Sequence, residues 1–277
     1  MKLKLVCLFS ILLAAFSLTS CIFDDEGESW SAEKVCPDIG TNAYGMPNRG
    51  TFTDERDGRV YKYTTIGDQV WMAENLKYEL PYPYSMCYGK KTCYWKQRFQ
   101  FDDIGDTVCV EDTSKLAEIG QRMNTTCTTN ECIADEFCER FGRYYNLYEN
   151  GEKEGFLDRV LLDTICPQGW RVPSKAEWEV LMESVQNDEL RLLEEESYDR
   201  LDSETKKWYK RPDNSCGYSV PLNGYLFMNG AMQRFSITSA FATTTAKNEL
   251  YAWNMIMEFG NMAFTSHNFI SIRCLKD

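Results

Sequence analysis

Cysteine sets the strongest limit on what this chain can fold into. Its 277 residues hold twelve cysteines and a single histidine. Cys7 falls in an apolar leader and Cys21 at its end, which leaves Cys36, Cys87, Cys93, Cys109, Cys127, Cys132, Cys138, Cys166, Cys216 and Cys274. An even set in an exported chain reads as a disulfide framework, and all ten are structural candidates. The rival is a metal site, but no Cys-x-x-Cys pair occurs and an oxidising compartment disfavours thiolate ligands, so no metal is expected. Five bridges can be drawn in on the order of a thousand ways, so spacing assigns none of them.

The leader explains why the other two cysteines are set aside. Lys2 and Lys4 form a positive start, Val6 to Ala15 an apolar run, and Leu18-Thr19-Ser20-Cys21 fits a lipobox, the small-residue stretch that precedes a lipid-acceptor cysteine. The run is shorter than the about 20 residues a membrane span needs, which favours cleavage and lipidation at Cys21 over an uncleaved membrane helix. The expected address is a bacterial cell envelope, as an outer-membrane lipoprotein. Asp24-Asp25-Glu26 behind the anchor resemble the surface-export signals of some lipoproteins as well as a plain soluble spacer. Residues 22–49 read as a polar tether. The formal charge is −12, and the leader removes two lysines but no acid, so the mature chain is more acidic still. Nucleic acid and anionic headgroups would repel such a chain, so membrane contact is expected through acyl chains.

From Gly50 the pattern turns to strands: Thr51 to Thr53, Val60 to Ile66 and Gln69 to Met72, separated by Asp57-Gly58 and Gly67-Asp68. Such dipeptides between β-branched and aromatic runs predict hairpins. Residues 78–138 hold eight or more aromatics and six of the ten cysteines, and read as a disulfide-braced insertion with a short helix over Ser114 to Met123. Aromatic spacing predicts a further helix over Ala134 to Tyr148. Ser174-Lys175-Ala176-Glu177 is a capping box, followed by Trp178, Leu181, Met182 and Val185 on one helical face. The charged stretch Glu189 to Lys207 is expected as a second, exposed helix or helical loop, with Glu194-Glu195-Glu196 on a solvated face. Short strands close the chain, the last over Ile270 to Leu275.

Three segments carry a resemblance. Gly50 to Tyr78 with Val70-Trp71-Met72-Ala73-Glu74-Asn75-Leu76, then Phe141-Gly142-Arg143-Tyr144-Tyr145 with Cys166-Pro167-Gln168-Gly169-Trp170-Arg171-Val172-Pro173-Ser174, and finally Ser271-Ile272-Arg273-Cys274-Leu275-Lys276-Asp277, together resemble the Fibrobacter succinogenes major paralogous domain over residues 50–277. That family is similar to the C-type-lectin-like superfamily. The resemblance implies an α+β, C-type-lectin-like fold, with small antiparallel sheets, two main helices and the chain ends brought together. It also implies a Cys166 to Cys274 bridge. The insertion is more cysteine-rich than the family usually shows, and Ala242-Thr243-Thr244-Thr245 departs from its usual Trp-Ser-Ser-Thr.

Chemistry is harder to find. A hydrolytic triad needs a base, and His267 has no marked nucleophile or orienting acid near it in sequence. Abundant acids make a glycosidase pair uninformative. The superfamily includes formylglycine-generating enzymes, which implies an oxidase as the alternative from another class, but no second reactive cysteine pair stands out. Arg211-Pro212-Asp213-Asn214 and Trp253-Asn254-Met255 fall short of the calcium triplets of sugar-binding lectins. No cofactor and no catalytic residue are therefore expected. What remains are Tyr82, Tyr84 and Trp95, aromatics able to stack on sugar rings or anchor a protein, against the plainer role of packing beside disulfides. The expected function is a lipid-anchored surface module that recognises a polysaccharide or a protein without catalysis, with a purely structural envelope role as a further alternative.

Overall fold

The computed structural model describes residues 29–81, 84–96, 106–146, 159–227, 230–246, 252–258, 261–265 and 269–277. A single-turn helix α1 (Ala32–Val35) leads into β1 (Arg49–Thr53), β2 (Val60–Ile66) and β3 (Gln69–Met72). The two hairpins fall where the dipeptides placed them. Gly58 and Gly67 take φ of 74° and 57° in the turns, a region open to glycine without steric cost. The ladder runs in register, with Thr53 opposite Val60 and Ile66 opposite Gln69.

The insertion follows, with β4 (Ser85–Met86), β5 (Thr92–Lys96), β6 (Asp106–Val110), α2 (Leu116–Met123) and α3 (Asn130–Phe141). Ile119 and Met123 of α2 and Phe137 and Phe141 of α3 are buried in one apolar cluster with Tyr88 and Tyr144. Helix α3 ends seven residues earlier than its aromatic spacing predicted. Gly142 has φ of 80°, and a Cβ there would lie 2.8 Å from Asn75 Cβ and 2.9 Å from the Leu76 carbonyl. The backbone therefore turns, and Tyr144 and Tyr145 enter β7 (Tyr144–Asn146), where both faces are buried. Adjacent buried aromatics are a signature of a covered strand, which a helical period imitates over a few residues.

After α4 (Arg159–Thr164) and β8 (Trp170–Arg171) comes α5 (Lys175–Ser184). Its capping box forms as expected: the Ser174 hydroxyl accepts from Glu177 N–H while the Glu177 carboxylate accepts from Ser174 N–H at 2.7 Å. Trp178 drives the helix onto the sheet, 4.7 Å from the Trp71 ring and 5.2 Å from Phe241. Burying each such ring contributes roughly 1.5–3 kcal/mol. The charged stretch takes the helical-loop form of its two expected forms, with a 3-10 turn Glu189–Arg191, α6 (Glu195–Asp199) and α7 (Ser203–Lys206). It is less solvated than its charge suggested, because Ser197 and Arg200 are buried and Glu194 is paired with Arg200.

The chain finishes through β9 (Tyr225–Leu226), β10 (Met232–Gln233), β11 (Thr238–Ala246), β12 (Ala252–Glu258), β13 (Asn261–Thr265), β14 (Phe269–Ile270) and β15 (Leu275–Lys276). The single last strand expected over Ile270 to Leu275 is thus two, and they belong to different sheets. One sheet has the order β1-β2-β3-β15-β8, a second β10-β9-β14-β7-β4, and a third β11-β12-β13, with β5-β6 as a separate ribbon. Helices with small antiparallel sheets make the fold α+β. Strand β15 lies between β3 and β8, with Leu275 opposite both Trp71 and Arg171, so the end of the chain closes the sheet that its beginning opens.

A buried polar network holds the sheets together. Asn75 donates to the Phe141 carbonyl at 2.8 Å and to the Ser271 hydroxyl at 3.3 Å, and Asn223 donates to the same hydroxyl at 3.0 Å. Such groups are costly to bury without partners, so their pairing fixes one arrangement of the sheets.

Disulfides join Cys36 to Cys216, Cys87 to Cys138, Cys127 to Cys132 and Cys166 to Cys274. The Cys166–Cys274 pairing is the one the family resemblance implied. Register places Cys93 opposite Cys109 across β5 and β6; their side chains, like Cys21, lie outside the described residues. The Cys36–Cys216 bridge corrects the tether boundary. From Trp30 onward the chain packs on the body: Trp30 Nε1 donates to the Ser184 carbonyl at 3.0 Å, and Arg191 lies 3.6 Å over its ring. Among the described residues no helix is long and apolar enough to cross a membrane.

Candidate functional site

A cleft of about 410 Å³ opens where the insertion meets the first sheet. The Cys87–Cys138 disulfide forms part of its lining and ties the β4 region to α3. Helix α3 presents Asp135, Cys138 and Glu139, residues at i, i+3 and i+4 that share one helical face. Arg59 reaches in from the start of β2, and Lys77 and Glu79 from the segment after β3. Lys90 and Lys91 follow the cystine, and Arg143 stands just before β7.

Charge alternates across the cleft in a fixed way. Glu139 accepts from Arg59 at 2.9 Å and from Lys77 at 3.3 Å. Burial alone would raise the Glu139 carboxyl, but the hydrogen bond from Arg59 and the charge of Lys77 hold it below its ordinary value. The same hydrogen bond raises Arg59. Arg143 is anchored on three sides: Nε donates to the Ser85 hydroxyl at 3.1 Å, Nη2 to Glu79 at 3.1 Å, and Nη1 to Cys87 Sγ at 3.6 Å. Lys90 pairs with Asp135. A cleft of this size falls within the usual range for small-ligand sites, yet its charged lining differs from their apolar norm. It suits a polar, hydroxylated or charged ligand.

Of the residues singled out from sequence, Cys87 and Cys138 line this cleft and Tyr84 does not. Tyr84 is half-buried and packs against the apolar cluster that holds Tyr61 and Tyr145. Tyr82, the Trp95 side chain and His267 lie outside the described residues. Asp213 and Asn214 are spent on a turn, accepting from Ser215 N–H at 2.9 Å and bonding Ser219. No group of three or more potential metal-ligating side chains occurs among the described residues. The cleft escaped the sequence because its parts come from positions 59 to 143; the one local signal was the Asp135, Cys138, Glu139 spacing on a helix. The pair Lys90-Lys91 just after Cys87 carried no signal by itself.

Comparison with known families rests on the whole domain. A model of the Fibrobacter succinogenes major domain matches residues 64–276. The chain belongs to that family. As a Fibrobacter succinogenes major domain, it is matched from within β2, so β1 and the hairpin before it lie ahead of the matched region. No curated protein and no solved structure matches the chain. Within this domain, Trp71, Trp178 and Cys274 build the core, whereas Arg143 reaches the cleft.

Proposed function

We propose that this domain is a lipid-anchored module of the bacterial cell envelope that binds a polysaccharide or a protein partner without catalysis, and that its α+β fold is of the C-type-lectin-like kind. The observation that carries the reading is the charged cleft braced by Cys87–Cys138. Salt bridges and a cystine hold its lining in place before any ligand arrives, and preorganisation of this kind reduces the entropy lost on binding. Disulfides accord with export, and the Cys21 lipobox supplies the anchor. The return of β15 into the opening sheet accords with the lectin-like topology, in which the chain ends meet. The oxidase reading has less support, since each cysteine whose side chain is described is bridged.

The test is a glycan array with pull-downs of surface proteins, run on the mature protein and on Lys91→Glu. Binding that the variant loses, with its melting temperature unchanged, supports the reading. Absence of any bound polymer or captured surface protein leaves the purely structural envelope role standing. Thiol counting on the same sample is a second check, because two free reactive cysteines would favour the oxidase. Labelling with a fatty-acid analogue, lost in Cys21→Ala, tests the anchor.

A further inference from the structure

From the charges lining the cleft, we infer that it takes a carboxylated sugar unit; this rests on the binding reading above and names the ligand class. Five cations and three carboxylates line the cleft, in a chain whose formal charge is −12. Every carboxylate already has a cation: Glu139 is shared by Arg59 and Lys77, Glu79 is held by Arg143, and Asp135 by Lys90. Lys91 is exposed and makes no ion pair among the described residues. Arg59 and Lys77 also reach acids beside the cleft, Asp57 at 3.6 Å and Glu74 at 3.5 Å, so the lining cation left without an acid is Lys91.

An anionic group settling against Lys91 displaces no existing ion pair. The three carboxylates meanwhile retain acceptor sites, since each has about four lone-pair directions and its cations occupy only some of them. Those sites take hydroxyl donors. A ligand with one carboxylate and several hydroxyls satisfies both sets at once. A bare phosphate or sulfate matches the cations but brings no donors for Glu79 and Asp135, and a neutral sugar leaves the excess charge unused. No aromatic ring lines the cleft, so recognition falls to polar complementarity and not to stacking. Binding of that kind weakens as salt screens it.

The experiment titrates the full mature protein with trigalacturonate and with its fully methyl-esterified form, which keeps the hydroxyls but replaces each carboxylate charge by a neutral methyl ester. The acid form is expected to bind at least tenfold more tightly, and to lose severalfold in affinity between 50 and 500 mM salt. Lys91→Glu is expected to abolish the preference, while Lys210→Glu, an exposed control with the same change of charge, keeps it. Circular dichroism melts confirm that both variants fold. Equal binding of acid and ester, weakened together by Lys91→Glu, overturns the carboxylate inference and leaves the binding reading intact. Binding of neither sugar overturns the inference as well, with the array deciding the wider reading separately. Tighter binding of a triglutamate peptide than of trigalacturonate overturns it in favour of an acidic protein segment.

Discussion

Arg273 Nε donates to Asn75 Oδ1 at 2.8 Å, joining residues 198 apart in sequence at the centre of the molecule. The rest of the guanidinium donates to the Tyr218 and Ser219 carbonyls, the latter at 2.7 Å, and faces the Tyr218 ring at 4.6 Å. No carboxylate among the described residues is bonded to it; burial pushes this guanidinium below its ordinary value, and backbone carbonyls supply its compensation. Arg273→Leu would remove three charged hydrogen bonds and strand their acceptors. We expect a loss of about 2–4 kcal/mol in urea unfolding, with Arg273→Lys recovering only part of it because an ammonium cannot reproduce the planar fork.

Glu177 gives the fold an acid-sensitive joint. Hydrogen bonds from Arg171, opposed by burial and assisted by the Ser174 N–H, bring its carboxyl down to about 2 from 4.5. A depressed carboxylate contributes stability that is full above its unfolded value and lost as pH falls through the folded one. Thermal melts of the wild type should therefore fall more steeply than those of Glu177→Gln between pH 4.5 and 2, the window set by that shift. At pH 7 the variant should be less stable by about 1–2 kcal/mol, since the pair is partly exposed and solvent screens it.

The four bridges among the described residues should differ in worth. Cys166–Cys274 closes a separation of 108 residues and Cys127–Cys132 one of 5. On the chain-entropy account, replacing the first pair by alanines costs about 2–3 kcal/mol more than replacing the second. Equilibrium unfolding of the two double variants measures the difference. Equal losses would place the stabilisation in local packing of the sulfurs.

Gly142 is the hinge at which α3 becomes β7. Gly142→Ala forces a side chain into a left-handed backbone position and against the Asn75 and Leu76 backbone. A destabilisation of about 2–4 kcal/mol is expected, larger than the about 1 kcal/mol of an ordinary helix-end glycine. Guanidine melts would show it, and a neutral outcome would mean that the helix end relaxes at little cost.

Local chemistry made part of this fold legible. The β1–β3 hairpins followed from two glycine dipeptides, and α5 followed from Ser174 and Glu177, because a turn and a cap are each decided within four residues. The short α2 was also marked by its own residues. What the sequence hid was decided at long range. Tyr144 and Tyr145 continue a helical spacing, yet Asn75 and Leu76 crowd the position at which the helix would have continued. The segment from Ile270 to Leu275 looks like one strand, but Ser271 and Arg273 are claimed by the central polar network, and its two ends join separate sheets. Cys36 sits in a polar stretch that composition describes as tether, and only its bond to Cys216 shows that the body begins earlier. The cleft is the extreme case, since Arg59 and Glu139 are 80 residues apart and neither is unusual in its own neighbourhood.

The Cys36–Cys216 bond has a mechanical consequence. When the chain is pulled at its two ends, tension passes from Cys36 directly to Cys216, and Cys166–Cys274 ties the remaining loop to the final strand. The cleft residues, all between positions 59 and 143, lie off this covalent load path. Stretching the chain end to end therefore loads the segments between Cys166, Cys216 and Cys274, while the cleft sits inside the loop that Cys36–Cys216 closes.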